Sequence, residues 1–330
     1  MSPSKTPLVS IIILNWNGGL YVQRCLDHVL KQSYKPIELI IVDNGSNDGS
    51  LEKLKQSDHE CIYIENSDNR GFAAGMNQGI SIAKGDFIVP LNQDVCLHKE
   101  FISACVDRIL TNEDIGAIGG RVFAWVGDEL TGDLRKGEGE RTYLLKRFHV
   151  IGGVQTDGEA WVFMPTGSFP FLRKKMLDDL HLHSGYFYDE KYVTGFEDMD
   201  LFFRMHLRNW KCLFLPSASG WHVGSGSVGG KSTFFSKKTD YQIKILRNRY
   251  FTMFKNLPAS IFWWLSPYLF LTEAAMLPYF LLRSPKSILA WLVAWYQFVG
   301  SLPDMVIKRQ RIQKSKLVKD DYLKQFFITY

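Results

Sequence analysis

Apolar positions in the first third of the chain fall into short continuous runs, and each run stops at a polar cluster. Leu8 to Leu14 is bounded by Pro7 and by Asn15-Trp16-Asn17-Gly18-Gly19. Ile37 to Val42 ends in a cluster from Asp43 and Asn44 to Ser50, and Phe87 to Leu91 ends in Asn92-Gln93-Asp94. Predominantly apolar runs of this length read as strands buried on both faces. Helices are predicted over about 20–32, after Ser50, and over about 71–83, with a short strand near 61–64. Strands alternating with helices predict an α/β fold, a mostly parallel sheet with helices on both faces. Ligands in such sheets sit outside the carboxyl ends of the strands, which is where each polar cluster falls.

A helix from Phe101 and a strand over about 115–123 come next. The polar, Gly-containing stretch 127–159 reads as an inserted loop or lid. Trp161 to Met164 resumes order ahead of Thr166-Gly167-Ser168. Glu197, Asp198 and Asp200 then place three acids within four residues, just before an apolar-faced helix (Leu201, Phe202, Met205, Leu207). At helical spacing Glu197 and Asp200 share one side and Asp198 points elsewhere. Acids in a first turn also suit the helix dipole, so a capped surface helix accounts for the cluster taken alone. Lys211 to Leu215 predicts another strand, followed by Trp221-His222 and a Gly/Ser loop. That loop matches GxGxxG from Gly224 to Gly229, but without the strand–turn–helix setting the motif requires.

Composition sharpens this picture at the C-terminus. Residues 256–282 carry a single charge, Glu273, and 287–303 carry none. The first segment is long enough to cross a bilayer, although Pro258, Pro267, Pro278 and Glu273 interrupt it. Trp263, Trp264, Trp291 and Trp295 suit an interface belt. Lys308, Arg309, Arg311, Lys314, Lys316 and Lys319 form a basic tail placed to meet anionic headgroups. That tail apart, the net charge of the whole chain, +5 over 330 residues, is too mild and dispersed for a nucleic-acid partner. Five scattered cysteines without CxxC fit neither a zinc cage nor a disulfide framework, and point to a reducing cytoplasm. No cleavable signal peptide is expected from the first residues.

Three clusters carry candidate chemistry. Asp43 at a strand end is placed to accept the imide N–H of a uracil or thymine base, although its neighbours are also ordinary turn residues. Asn92-Gln93-Asp94 offers a thin ligand set for Mg²⁺ or Mn²⁺, which keeps waters and takes substrate phosphates, or else a plain turn. His222 is of interest only if the fold brings it toward Asp94.

Seven blocks in order resemble the family 2 glycosyltransferases: Val9–Asn15, Asp43–Ser46, Asn69–Asn77, Leu91–Asp94, Thr166–Ser168, Phe196–Leu201 and His222. The likeness covers roughly Pro7 to Lys255 and leans toward the rhamnosyltransferase-like branch that builds bacterial surface polysaccharides. It implies a GT-A fold, a nucleotide-sugar donor, a divalent metal (Mg²⁺ or Mn²⁺) and transfer with inversion. Carried over by position, it places Asn15, Asp43 and Asn44 at the nucleotide. Asn69, Gly71 and Asn77 line the nucleotide–sugar pocket, with Asn92 beside it and Gly167 among the substrate-binding positions. Asp94 and His222 are the implied metal ligands, Asp198 the general base and Glu197 a residue near the acceptor. One departure is that Asn92 stands where the metal motif usually has its first acid.

The chemistry agrees with these roles. Inverting transfer needs one base for the acceptor hydroxyl, and a cation rather than a second carboxylic acid at the leaving diphosphate. A glycoside hydrolase would instead need a carboxyl pair across the bond. The expected organisation is a GT-A catalytic domain at 1–255 and membrane-associating helices with the basic tail at 256–330. Within the former, 1–125 binds the nucleotide sugar and 160–255 serves the acceptor and catalysis. The resemblance makes rhamnose from dTDP-rhamnose the first donor to consider, with a saccharide or lipid-linked saccharide as acceptor. The protein is expected on the cytoplasmic side of the membrane. A non-catalytic nucleotide-sugar-binding protein and a sugar nucleotidyltransferase are the competing readings.

Overall fold

A computed structural model of the chain describes residues 6–56, 59–134, 141–142, 147–148, 158–165, 167–224 and 234–328. Thr166, much of the 127–159 stretch and the Gly/Ser loop from 225 to 233 lie outside the described residues. The chain divides into two units. One is Met1–Gly139 with Val150–Asp179 and Trp210–Gly224, and the other is Glu140–His149 with Leu180–Asn209 and Ser225–Tyr330.

The chain opens with β1 (Val9–Asn15), α1 (Gly19–Leu30), β2 (Ile37–Asp43), α2 (Ser50–Lys55), β3 (Ile62–Glu65), α3 (Phe72–Ile82) and β4 (Phe87–Asn92). Then come β5 (Val95–Leu97), α4 (Phe101–Ile109), β6 (Ile115–Val126), β7 (Glu129–Leu134), β8 (Arg141–Thr142) and β9 (Arg147–Phe148). β10 (Ala160–Val162), β11 (Phe171–Arg173), α5 (Lys174–Ser184), α6 (Glu197–Leu207) and β12 (Lys211–His222) follow. The chain ends in α7 (Thr239–Asn256), α8 (Ala259–Arg283), α9 (Lys286–Gly300), α10 (Leu302–Lys314), α11 (Asp320–Lys324) and β13 (Phe327–Ile328).

The first unit is a mixed sheet in the order β10-β12-β6-β11-β4-β1-β2-β3, with β5 on β12 and β7 on β6. β4, β1, β2 and β3 are parallel neighbours, as are β6 and β12, while β11, β10, β5 and β7 join antiparallel. This is the α/β architecture of the GT-A fold. Isoleucines 11, 12 and 13 are all fully buried, which is why β1 shows no polar alternation. α1 buries Val22, Cys25, Leu26 and Val29, the i, i+3, i+4, i+7 stripe of a helix packed by one face.

Several elements differ from the pattern reading. The strand expected to stop at Leu215 runs on to His222, because Gly220–His222 pairs with Leu97–Val95. Part of the expected lid is a hairpin, with β7 folded antiparallel onto β6. β11 and α5 went unpredicted, since three strand residues carry too little periodicity to be seen.

In the second unit α7 packs against α6, α9 and α10. Leu246, Tyr250, Phe280 and Ala294 form one apolar cluster, and Tyr192, Phe251 and Met305 another. α8 is a continuous helix of 25 residues with Pro267 and Pro278 inside it, and by length and composition it suffices to cross a membrane. Little of its most apolar stretch is buried, and Trp263, Phe270 and Leu282 are strongly exposed. Its single acid, Glu273, is satisfied by Arg249 at 2.7 Å, the Tyr250 hydroxyl at 2.8 Å and Trp291 Nε1 at 3.1 Å. The expected basic tail is only partly a free basic surface. Lys308 is paired with Asp189 and Asp304, Arg309 donates to the Phe254 and Leu257 carbonyls, and Lys316 pairs with Asp320.

Gly120 in β6 permits a close approach of backbone: a Cβ there would lie 2.1 Å from the Ala218 carbonyl oxygen of β12. Backbone cannot rotate away as a side chain can. Gly120→Ala is therefore expected to lower stability by about 1–3 kcal/mol in urea unfolding. Gly132→Ala, whose Cβ meets nothing within 4 Å, should stay within about 0.5 kcal/mol of wild type.

Candidate active site

Asn15, Asp43 and Asn92 end three adjacent parallel strands. Asn15 is the register partner of Asp43, and Leu14 that of Asn92. Asp43 is buried and accepts from Asn15 Nδ2 at 2.7 Å, from the Ser46 hydroxyl at 2.6 Å and from the Ser46 amide at 2.9 Å. Those bonds use about three of a carboxylate's four acceptor positions. The first loops brace one another: Asn47 donates to Asn17 at 2.9 Å, and Gly19 to Asp48 at 2.9 Å. Asn44 donates to the Gly71 carbonyl at 3.1 Å and to Asn69 Oδ1 at 3.4 Å, drawing the head of α3 to the same edge. Asn77 sits half-buried within α3.

Trp16 and Gln93 were not singled out by sequence. Gln93 clamps the Trp16 backbone from both sides, accepting from its amide at 2.7 Å and donating to its carbonyl at 3.1 Å. The Trp16 side chain is left half-exposed beside Asn15.

The β5–β12 pairing brings together what 127 intervening residues separate. His222 is the register partner of Val95, and its Nε2 lies 3.4 Å from Asp94 Oδ1. The Val223 amide donates to the Asp94 carbonyl at 3.2 Å, closing the junction. Beside it, the Asn92 amide donates to the Ser168 carbonyl at 3.1 Å, which places Gly167 next to the strand end. Two cis ligands of one octahedral ion, each at about 2.1 Å, lie about 3 Å apart. The Asp94–His222 spacing fits such a pair. Among the described residues no third His, Cys, Asp or Glu joins them, so a divalent ion there would draw its remaining oxygens from substrate and water.

In the second unit the acidic stretch opens α6. Glu197 and Asp198 are half-buried, and Asp198 Oδ1 accepts from the Met199 amide at 2.7 Å. Asp200 has no exposure at all. It meets Arg204 Nε at 3.0 Å, Lys255 Nζ at 2.9 Å and Asn256 Nδ2 at 2.8 Å. Lys255, equally buried, also pairs with Asp189, which in turn holds Lys308 at 2.8 Å. Burial pushes the Asp200 carboxyl up, but the Lys255 and Arg204 cations outweigh it and hold it below the ordinary range. Asp189 is likewise held down, burial being outweighed by Lys255 and Lys308. Burial raises the Tyr188 hydroxyl, and the Asp198 and Glu197 charges push it further.

Residues 10–180 match the family model described as Glycosyl transferase family 2, more than half of the chain. The chain belongs to glycosyltransferase family 2. It is 25% identical over 193 residues to the glycosyltransferase GlyG of Streptococcus pneumoniae serotype 4, covering 56% of this chain and 62% of that protein. It is 24% identical over 226 residues to the poly-β-1,6-N-acetyl-D-glucosamine synthase of Staphylococcus aureus, covering 67% and 51%. The chain thus spans between half and two thirds of these relatives' length. Two solved structures share the fold. S. aureus TarS 1–349 in complex with UDP matches at TM-score 0.52 and 16% identity, over 75% of this chain and 66% of that one. GalNAc-T7 with UDP, GalNAc and Mn²⁺ matches at TM-score 0.58 and 15% identity, over 76% and 48%.

The matched residues of this family 2 chain include every candidate from Asn15 to Gly167 and end before Glu197, Asp198 and His222. Lys255, Arg204 and Asp189 went unnoticed in the sequence. Arg204 stands four residues after Asp200, the spacing of a helical ion pair, and that was the available signal.

The depressed carboxyls carry a definite sign. Asp189 and Asp200 contribute stability that is complete above the unfolded carboxylate pKa near ~4 and is lost as pH falls through their lowered folded values. Lys255→Met leaves both acids short of a buried partner and should cost about 3–5 kcal/mol at pH 7. The deficit should narrow below about pH 4, as wild type sheds the same ion pairs. Thermal unfolding of both proteins from pH 7 down to acid checks this, and a constant deficit would contradict it.

Proposed function

We propose that the chain is a metal-dependent, inverting glycosyltransferase that moves a hexose from a nucleotide sugar to a saccharide or lipid-linked saccharide acceptor in cell-surface polysaccharide synthesis. The observation that carries this reading is the Asp94–His222 pair, assembled beside the carboxyl edge formed by Asn15, Asp43 and Asn92. Family membership supports glycosyl transfer, and the polysaccharide synthase among the relatives supports the substrate class.

On this reading Asn15, Asp43 and Asn44 shape the nucleotide end of the site. Asn69, Gly71 and Asn77 line the donor pocket, and Asn92 and Gly167 flank the sugar. Asp94 and His222 would hold Mg²⁺ or Mn²⁺, whose charge offsets that of the departing diphosphate. Asp198 takes the acceptor hydroxyl's proton as that oxygen bonds to the anomeric carbon and the bond to the nucleoside diphosphate breaks. Glu197 contacts the acceptor. Residues 1–255 carry the reaction, 1–125 on the donor side and 160–255 on the acceptor side.

Asp198→Asn should lower kcat by about 10²-fold or more while donor binding changes little. Donors come from a thermal-shift screen of dTDP-rhamnose and UDP-linked hexoses with and without Mn²⁺, dTDP-rhamnose being the first choice by family likeness. Near-normal transfer by Asp198→Asn would sink the base assignment. Release of pyrophosphate in place of a nucleoside diphosphate would make the chain a nucleotidyltransferase.

Residues 256–330 are proposed to attach the enzyme to the cytoplasmic face of the membrane. The support is the length of α8 and its exposed Trp263, Phe270 and Leu282. A charge at membrane depth costs about 2.5–3.5 kcal/mol. Phe270→Asp with Leu282→Asp should therefore cut flotation with anionic phospholipid vesicles at least severalfold, and unchanged flotation would refute the attachment.

A further inference from the structure

The turn leading into α6 is strained. Val193 has φ 60° and ψ −58°, and the Thr194 amide donates to the Tyr192 carbonyl at 2.6 Å. This is the γ-turn with positive φ, a rare and unfavourable conformation, here centred on a β-branched residue. Gly195 follows at φ 79°, where glycine is at ease, and then Phe196 at φ 72°, where a side chain is not. Such a conformation persists only where the surroundings over-determine it.

One side chain supplies much of that determination. Asn248 is fully buried on α7, and the two hydrogens of its Nδ2 are shared among the carbonyls of Tyr192 at 2.8 Å, Thr194 at 3.0 Å and Gly195 at 2.8 Å. Its Oδ1 accepts from Arg247 Nε at 3.1 Å and Nη2 at 2.9 Å, which fixes the end of the amide that faces the turn. Arg247 Nη2 also donates to the Lys191 carbonyl at 3.0 Å. The Phe196 carbonyl then accepts from the Asp200 amide at 2.9 Å, which starts α6 with Glu197 and Asp198 in its first turn. Asn248, Thr252 and Asn256 form a stripe at four-residue spacing, all buried. Thr252 meets the Tyr192 hydroxyl at 2.9 Å, and Asn256 meets Asp200 at 2.8 Å. A helix packed for stability alone would place apolar residues there, since buried amides and hydroxyls must each find a partner. The stripe is matched to the turn and to α6.

We propose that Asn248 is a positioning residue of the transfer reaction: by holding the γ-turn at Val193 it sets where the first turn of α6 presents Asp198. This rests on the assignment of Asp198 as the base. The side chain itself does not touch substrate.

The test uses the full-length protein with the nucleotide sugar selected by the Mn²⁺ screen, and reads nucleoside diphosphate release alongside hydrogen exchange. Misplacing a reacting group by about 1 Å can cost about 10²-fold. Asn248→Ala is accordingly expected to lower kcat about 10- to 100-fold with donor KM nearly unchanged, and to move the acid limb of the kcat–pH profile. Amides of 192–200 should exchange faster, while those of β1, β2 and β4 keep wild-type protection. Arg247→Lys keeps Asn248 but loses the planar fork that orients it. It should show the same pattern more weakly, and it carries the test if Asn248→Ala does not fold. Wild-type exchange at 192–200, or a wild-type kcat and pH profile, in the folded variant overturns the positioning role. An active Asp198→Asn overturns the base assignment instead, so the two failures are told apart.

Discussion

A carboxylate with no exposure, Asp200, sets the geometry of the second unit. Taking an acid, an ammonium and a guanidinium out of water costs several kcal/mol per ion, so the cluster is tolerable only with its partners in place. Arg204 reaches Asp200 along α6, Lys255 and Asn256 reach it from α7, and Lys308 on α10 joins through Asp189. Such a network is weak evidence of net stability, because an apolar core of the same volume does as well. What it does impose is position. A helix rotated by one residue would strand a buried charge, and that penalty ties α6 and α7 together more strictly than apolar contact would.

The first unit solves a similar problem without cations. Asp43 is as buried as Asp200, but amides and hydroxyls satisfy it, and the strand-end loops hold one another by neutral hydrogen bonds. Neutral donors thus organise that edge without a fixed cation beside the carboxylate. At this end Asp94 is paired with His222, a base that is charged only when protonated.

These two halves differed in how far they could be read from sequence. β1, β2 and β4 were legible because burial on both faces writes a mainly apolar run, interrupted only by Ser10 and Glu38, and parallel topology then places Asn15, Asp43 and Asn92 together. The meeting of Asp94 and His222 was not legible, since it depends on a three-residue strand pairing with the far end of a twelve-residue one. Neither has a periodic signal at that point. α5 was hidden by the basic composition of Arg173-Lys174-Lys175, although Arg173 turns inward to the carbonyls of Ile109, Asn112 and Ile115. The expected basic tail was only partly legible for the same reason. Composition counts charges but does not say which way they face, and Lys308 and Arg309 face in.

The acidic stretch shows where physical reasoning adds to motif reading. Three acids within four residues look interchangeable, yet their surroundings give them different capacities. Asp200 is sealed from solvent and held ionised by two cations, so taking up a proton there would leave Arg204 without its acid and Lys255 with Asp189 alone. It is the wrong acid for proton transfer and the right one for anchoring. Glu197 and Asp198 remain half-buried in the same turn, above a tyrosine kept neutral by burial and by their charges. A base must hold a defined place while still changing its protonation state, and one carboxylate cannot do both when it is also the keystone of an ion network. On the proposed assignment of Asp198 as base, its separation from the anchor at Asp200 resolves that conflict within a single helical turn.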